Sequence, residues 1–240
     1  MDPIIELSKV TKTYRSKGKA VLALKDVNLP VERGSFTTLI GPSGCGKSTL
    51  LKIIAGIALP YEGRMRYKDR EITSINTDIG FVTQDSNLFP WLTLIQNVEL
   101  ALKIRGVARD QRKRTAQKYI DTMQLSGFES HYPFELSGGM QKRAGLARAM
   151  ALDPSILLVD EPSAGLDPIT TREIDQLLLE RKRTGTTLVV VTHNIPSARL
   201  LGDELAVLHE GRIIARGSAA DLDASDDPLV QGFMRSEGGG

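Results

Sequence analysis

Apolar and polar positions change period several times along the chain, and each change marks a new kind of element. Residues 4–14 ("IIELSKVTKTY") and 22–31 ("LALKDVNLPV") alternate briefly, as half-exposed strands do. "FTTLIG" (36–41) is a continuous branched run, which predicts a buried strand entering a glycine-rich stretch. "KSTLLKIIAGI" (47–57) then switches to helical spacing. "GRMRYKDREI" (63–72) predicts a hairpin, and "DIGFVTQ" (78–84) a further strand. From about Leu88 to Leu152 the pattern is helical, with basic stretches such as "RDQRKRTAQKYIDTMQL". "SILLVDEP" (155–162) and "TTLVVVTH" (186–193) are short branched runs typical of buried parallel strands, with "TREIDQLLLERKR" (171–183) as the crossover helix between them.

Composition changes this picture little. The 240 residues fit one large domain or a core with an insertion. Apolar residues at 41% and charged residues at 25% are ordinary globular values. The net charge of +2, from 31 basic against 29 acidic residues, predicts no nucleic-acid or membrane-surface field. A single cysteine, Cys45, makes no internal disulfide and points to a reducing compartment. No apolar run approaches the ~18 residues that span a bilayer, and "MDPIIELSKV" lacks the basic and apolar regions of a signal peptide. A membrane role would therefore act through partner chains.

The chemistry begins at "GPSGCGKST" (41–49), which fits G-x-x-x-x-G-K-[ST] between a strand and a helix. A chance match in a chain of this length is on the order of one per cent. Gly41, Gly44 and Gly46 let backbone N–H groups close on phosphate oxygens where a Cβ would obstruct. Lys47 brings a point charge to the β- and γ-phosphates, and the Ser48 hydroxyl is a ligand for Mg²⁺. Pro42, Ser43, Cys45 and Thr49 complete the loop, with the Cys45 thiol read as packed or semi-exposed and without a role in this scheme. Asp160 ends a buried strand, where open α/β sheets bind ligands, and suits Mg²⁺. Glu161 follows it and is placed to polarise the attacking water. His193 ends the next apolar strand; alone it would read as structural, but at the same sheet edge it points to a γ-phosphate contact. Gln84, at the end of "DIGFVTQ", offers an amide oxygen to metal or water.

A second motif, "LSGGMQKR" (136–143), leads into a helix whose start presents further N–H groups to an anion. With the residues above, it resembles the nucleotide-binding subunit of ATP-binding cassette (ABC) transporters over essentially the whole chain. The resemblance implies an α/β fold: a P-loop NTPase (ABC ATPase) core with an N-terminal antiparallel β subdomain and an inserted helical subdomain. The expected division is core with β subdomain over 1–87, helical subdomain over 88–152, and core with tail over 153–240. It implies that Tyr14 stacks on adenine, and that Ser137, Gly138, Gly139 and Met140 meet a neighbour's ATP; Met140 stands where many members have Gln. "SAGLD" (163–167) matches the family's inter-subunit loop, ending at Asp167. ATP and Mg²⁺ are the implied ligands. The implied partners are a second copy of the chain and integral membrane permease subunits at the cytoplasmic face of the cell membrane, with a periplasmic or lipid-binding partner beyond them.

The two halves resemble different branches. Residues 78–107 look like nitrate, sulfonate and taurine importers, whereas "DEPSAGLDPIT", "VTHNIPSARLLGD" and "SDDPLVQGFM" are similar to Mla-type phospholipid transporters. The expectation is an ATPase driving phospholipid transport, with nitrate, sulfonate or taurine import, or a soluble assembly ATPase, as alternatives. A DNA-repair ATPase of the family would carry a long coiled coil in place of the helical insert, and a translation-associated one would carry two cassettes. Finally, "SDDPLVQGFMRS" (225–236) predicts a short helix capped by Asp227 and Pro228, with Leu229, Val230, Phe233 and Met234 on one apolar face. So short a helix needs a surface to pack on, either its own core or a neighbouring subunit.

Overall fold

The computed structural model describes residues 3–16, 19–60 and 62–236, so the last four residues of "SEGGG" lie outside it. Two sheets form the frame. The smaller is antiparallel, built from β1 (Ile5–Ser16), β2 (Lys19–Val31), β4 (Glu62–Tyr67) and β5 (Arg70–Glu71) in the order β2-β1-β4-β5. The larger contains β3 (Phe36–Ile40), β6 (Ile79–Val82), β7 (Ile156–Asp160), β8 (Thr187–Val191), β9 (Glu204–His209) and β10 (Arg212–Gly217). Its order is β10-β9-β3-β8-β7-β6; all neighbours run parallel except β9 and β10.

The parallel strands read as unbroken apolar runs because both faces are covered. Every residue of β3, β7 and β8 is buried. Along β7, Ile156 and Leu158 face one cluster with Leu39, Leu50, Ile53 and residues of the small sheet, while Leu157 and Val159 face a second with Val98, Ile120, Leu146 and Ile174. This is the period of two expected of a strand. Helix α1 (Lys47–Ile54) therefore shares one layer with the small sheet. Helices α2 (Leu94–Ile104), α3 (Arg109–Thr122), α4 (Gly138–Met150) and α5 (Pro168–Arg183) contribute to the other.

The alternation expected across 4–14 and 22–31 is broken in three places. β1 and β2 shift register between Leu7 and Val10 and again on either side of Lys12, and Lys9 and Asp26 take positive φ. Such bulges add an unpaired residue and change which face the next side chain meets.

A third cluster closes the C-terminal end. Helices α6 (Ile195–Leu201), α7 (Ala219–Asp223) and α8 (Pro228–Arg235) gather Ile195, Ala198, Leu222, Val230 and Met234 over Ile40, Leu205 and Val207. The tail thus packs on its own core. Asp227 caps α8 by accepting from the Leu229 N–H at 2.8 Å, with Pro228 in the first turn. Leu229 departs from the expected apolar face: it is 49% exposed, because the helix is anchored by Val230 and Met234, one turn apart and both buried. Arg199 completes the attachment, bonding both Asp223 carboxylate oxygens and the Met234 carbonyl.

Candidate nucleotide site

The parallel register brings the chemistry to one edge. β3 ends at Ile40, β8 at Val191, β7 at Asp160 and β6 at Val82, on strands adjacent in the order β3-β8-β7-β6. Gly41, His193, Glu161 and Gln84 therefore leave neighbouring strands at their carboxyl ends, about 5 Å apart from strand to strand. A cleft of about 390 Å³ opens there, lined by Tyr14, Ser43, Gly44, Gly46, Lys47, Ser48, Thr49, Gln84, Glu161 and His193, and by Val21, Leu22 and Ala23.

The glycine loop has little steric freedom. Gly41 has φ of 151°, and a Cβ there would lie 2.1 Å from the Leu208 carbonyl oxygen; at Gly46, with φ of 111°, it would lie 2.5 Å from the Ala23 oxygen. The loop is thus pressed between β9 and β2 and takes only glycine at these positions. Gly46 begins α1 without a side-chain cap, so the first N–H groups of that helix point at the loop as donors for an anion. Lys47, buried, donates to the carbonyls of Gly41 at 2.8 Å and Pro42 at 3.0 Å. An ammonium has three protons, so one remains for a phosphate. The Pro42 carbonyl also accepts from the Cys45 N–H at 3.4 Å. Cys45 itself is buried, and that burial pushes its thiol above the ordinary value despite the nearby Lys47.

Across the cleft, Glu161 is buried, with φ of 49°, and its N–H donates to Val191 O at 2.9 Å. Its Oε2 meets the His193 Nδ1 at 2.8 Å and accepts from the His193 N–H at 3.2 Å. Asp160 is buried, and its Oδ1 has no hydrogen-bond partner among the described residues. An orphaned carboxylate oxygen is costly unless a cation or its water satisfies it. Asp160 does not itself line the cleft but ends β7 directly before Glu161, which does; with the Ser48 hydroxyl and the Gln84 amide oxygen on the cleft wall, the three offer hard oxygens, the set that Mg²⁺ prefers.

Tyr14 is exposed at the cleft rim, paired with Val21 across the hairpin and with the Lys12 ammonium 5.3 Å from its ring centre. Val21 and Leu22, also exposed, widen this apolar platform. Reading the sequence missed both. Their signal was the unbroken apolar run 20–24 at the start of β2, before the strand begins to alternate.

The remaining expected residues lie elsewhere in the chain. Ser137 caps α4, its Oγ accepting from the Met140 N–H at 3.3 Å; Gly138 is exposed, while the Met140 side chain packs against the helical core. Gly139 is buried so closely against α5 that a Cβ would meet Thr170 at 2.6 Å. Asp167 is occupied as the cap of α5, accepting from the N–H groups of Ile169 and Thr170 and from the Thr170 hydroxyl, bonds that lower its carboxyl below the usual range. Gly138 lines a second open cleft of about 420 Å³ with Gln84, Asp85, Lys142, Ala164 and Gly165. Gln84 borders both clefts, and its carbonyl accepts from Lys142 of α4.

Residues 24–164 match the family model described as ABC transporter. A taurine import ATP-binding protein of Burkholderia pseudomallei (strain 1710b) is 43% identical over 213 residues, covering 88% of this chain and 82% of that protein. An aliphatic sulfonates import ATP-binding protein of Bacillus subtilis (strain 168) is 41% identical over 206 residues, covering 85% and 79%. A dimeric ATP-binding cassette in a post-hydrolysis state, bound to ADP and Pi, has a TM-score of 0.81 at 37% identity, covering 89% of this chain and 98% of that one.

Proposed function

This chain belongs to the ABC transporter family as an ATP-binding subunit and ATPase, and we propose that it powers import of a small sulfonated solute, of the taurine or alkanesulfonate kind, through partner membrane subunits. The observation that carries the substrate class is the naming of relatives that match over four-fifths of the chain or more, for taurine and sulfonate import. The phospholipid transport expected from the C-terminal half has no such support, and the importer alternative replaces it.

In hydrolysis, the N–H groups of Gly44 and residues 46–49 and the Lys47 ammonium hold the phosphates of ATP, and Tyr14 with Val21 and Leu22 offers an apolar face to its base. Ser48, Gln84 and Asp160 would hold Mg²⁺, which supplies charge neutralisation on the β- and γ-phosphate oxygens. Glu161 orients the attacking water and takes up its proton, and His193, bonded to Glu161, fixes the carboxylate and faces the γ-phosphate. Ser137 and Gly138 lie outside this cleft, on a helix start open to solvent. We assign them to the ATP of a second copy, each nucleotide lying between one chain's glycine loop and the other's "LSGGMQ".

The helical region 88–152 also presents a surface for the membrane subunits. Asn97, fully buried, accepts from the Phe89 N–H and donates to the carbonyls of Phe89, Leu92 and Thr93, so the loop carrying Trp91 is braced. Trp91 is 69% and Phe134 76% exposed, with Phe89 and Tyr132 packed beside them. Braced aromatic side chains in solvent mark an interface. Among the described residues no helix is long and apolar enough to cross a membrane, so we place the chain peripherally at the cytoplasmic face, held by this patch.

The test is capture of the chain from membranes with its polytopic partner, followed by reconstitution in vesicles. ATP-dependent uptake of taurine or an alkanesulfonate is expected. Phospholipid movement without sulfonate uptake would overturn the substrate class, and failure of Trp91→Ala with Phe134→Ala to weaken capture would overturn the docking patch.

A further inference from the structure

Helix α5 begins at the end of the "SAGLD" loop, and α6 begins directly after His193. The two helices meet along one face, and in α5 that face carries Thr171 and Asp175, one turn apart. Asp175 is 3% exposed, an acid two turns inside a helix. Its Oδ2 accepts from the Ser197 hydroxyl of α6 at 2.7 Å, while its Oδ1 has no hydrogen-bond partner among the described residues. It sits in a cleft of about 370 Å³ with Thr171, Arg172, Asn194, Pro196 and Leu200. A position serving only to pack these helices would be better filled by leucine, since a half-satisfied buried carboxyl opposes folding.

Ser197 has a second bond. Its N–H donates to the Asn194 side chain at 3.0 Å, capping α6, and the Asn194 N–H donates to the Thr192 hydroxyl at 3.0 Å. His193 lies between those two residues, with both its backbone N–H and its Nδ1 on Glu161. A continuous run of bonds therefore links the body of α5 to the carboxylate in the nucleotide cleft.

We infer that Asp175 is a positioning residue for ATP hydrolysis: by holding Ser197 it fixes the start of α6, sets the His193 imidazole against Glu161, and keeps that pair in register with the helix that starts at Asp167. The inference rests on the assignment of Glu161 and His193 made above. It requires an acceptor at position 175 and no negative charge, so asparagine should substitute and leucine should not.

The experiment compares Asp175→Asn, Asp175→Leu and Ser197→Ala in the full chain, each with and without His193→Ala. ATP affinity, kcat and melting temperature are measured for all. Asp175→Leu and Ser197→Ala should lower kcat about ten- to a hundredfold with ATP affinity unchanged, as expected when a reacting group is displaced by about an ångström. Asp175→Asn should restore most of the parent kcat. In the His193→Ala background the leucine and alanine substitutions should have no further effect on kcat, because their effect passes through His193. Parent-like kcat in Ser197→Ala overturns the inference even if the leucine variant fails to fold. So does an asparagine variant as slow as leucine, or a penalty of equal size in both backgrounds.

Discussion

At the scale of single residues, Glu161 and Asp175 show two opposite uses of a buried acid. Glu161 faces the cleft and a histidine, so Glu161→Gln should keep shape and ATP binding while phosphate release falls about 10²–10⁴-fold. Single-turnover phosphate release at near-parent rate would remove Glu161 from that role. Asp175 faces a hydroxyl, and burial raises its carboxyl above the ordinary value; Arg172, on its own helix, is the one charged neighbour among the described residues of its cleft, and α6 brings none. The folded chain therefore holds this proton more tightly than the unfolded chain, and stability is lost as pH rises from about 4 towards the raised value. Asp175→Asn escapes that loss. Thermal melts should show its advantage over the parent growing with pH and vanishing near pH 4; an advantage independent of pH would contradict the assignment. Glu161 was legible in the sequence because it follows a strand-ending aspartate. Asp175 was not: one of three acids within "TREIDQLLLERKR", it reads as part of a solvated helix face, and only the approach of α6 buries it.

At the scale of elements, the buried runs of β3, β7 and β8 announced themselves because both faces of each strand are covered. The order in which they pair was not legible, since each run would fit any central position in a parallel sheet. The tail shows a similar boundary. Its cap, proline and apolar spacing predicted α8, but not which of four apolar residues would turn inward. Val230 and Met234 are buried, and each such side chain contributes about 1.5–3 kcal/mol. Truncation after Asp223 removes both, together with the Met234 carbonyl held by Arg199. The melting temperature should fall by several degrees, with ATP affinity unchanged because no tail residue lines the cleft. An unaltered melt would mean that α8 contributes nothing to its own core.

At the scale of the whole molecule, the glycine loop and the start of α4 border different clefts. If each ATP is shared between copies, Ser137→Arg should leave nucleotide binding to the single chain intact while abolishing hydrolysis, and Lys47→Ala should weaken binding itself. Mixing the two variants should restore turnover, since their heterodimer contains one composite site with neither substitution. Turnover should also depend on protein concentration, and a monomer hydrolysing at the full rate at any dilution would refute the shared site. The two elements were each legible as motifs. Their separation into different clefts was expected only from the family resemblance, which gave the second motif to a neighbour's ATP, because distance between motifs in sequence says nothing about whether they line one cavity.

Cys45 turns the glycine loop into its own clock. The only cysteine of the chain is buried within that loop, and its raised thiol carries little of the thiolate that reacts with alkylating reagents. With reagent concentrated enough to trap every opening, alkylation waits for the loop to lift away from β2 and β9, and its rate counts those openings. Bound nucleotide should slow the count, so the protein carries, without any added label, a timer for how often its phosphate-binding loop comes undone.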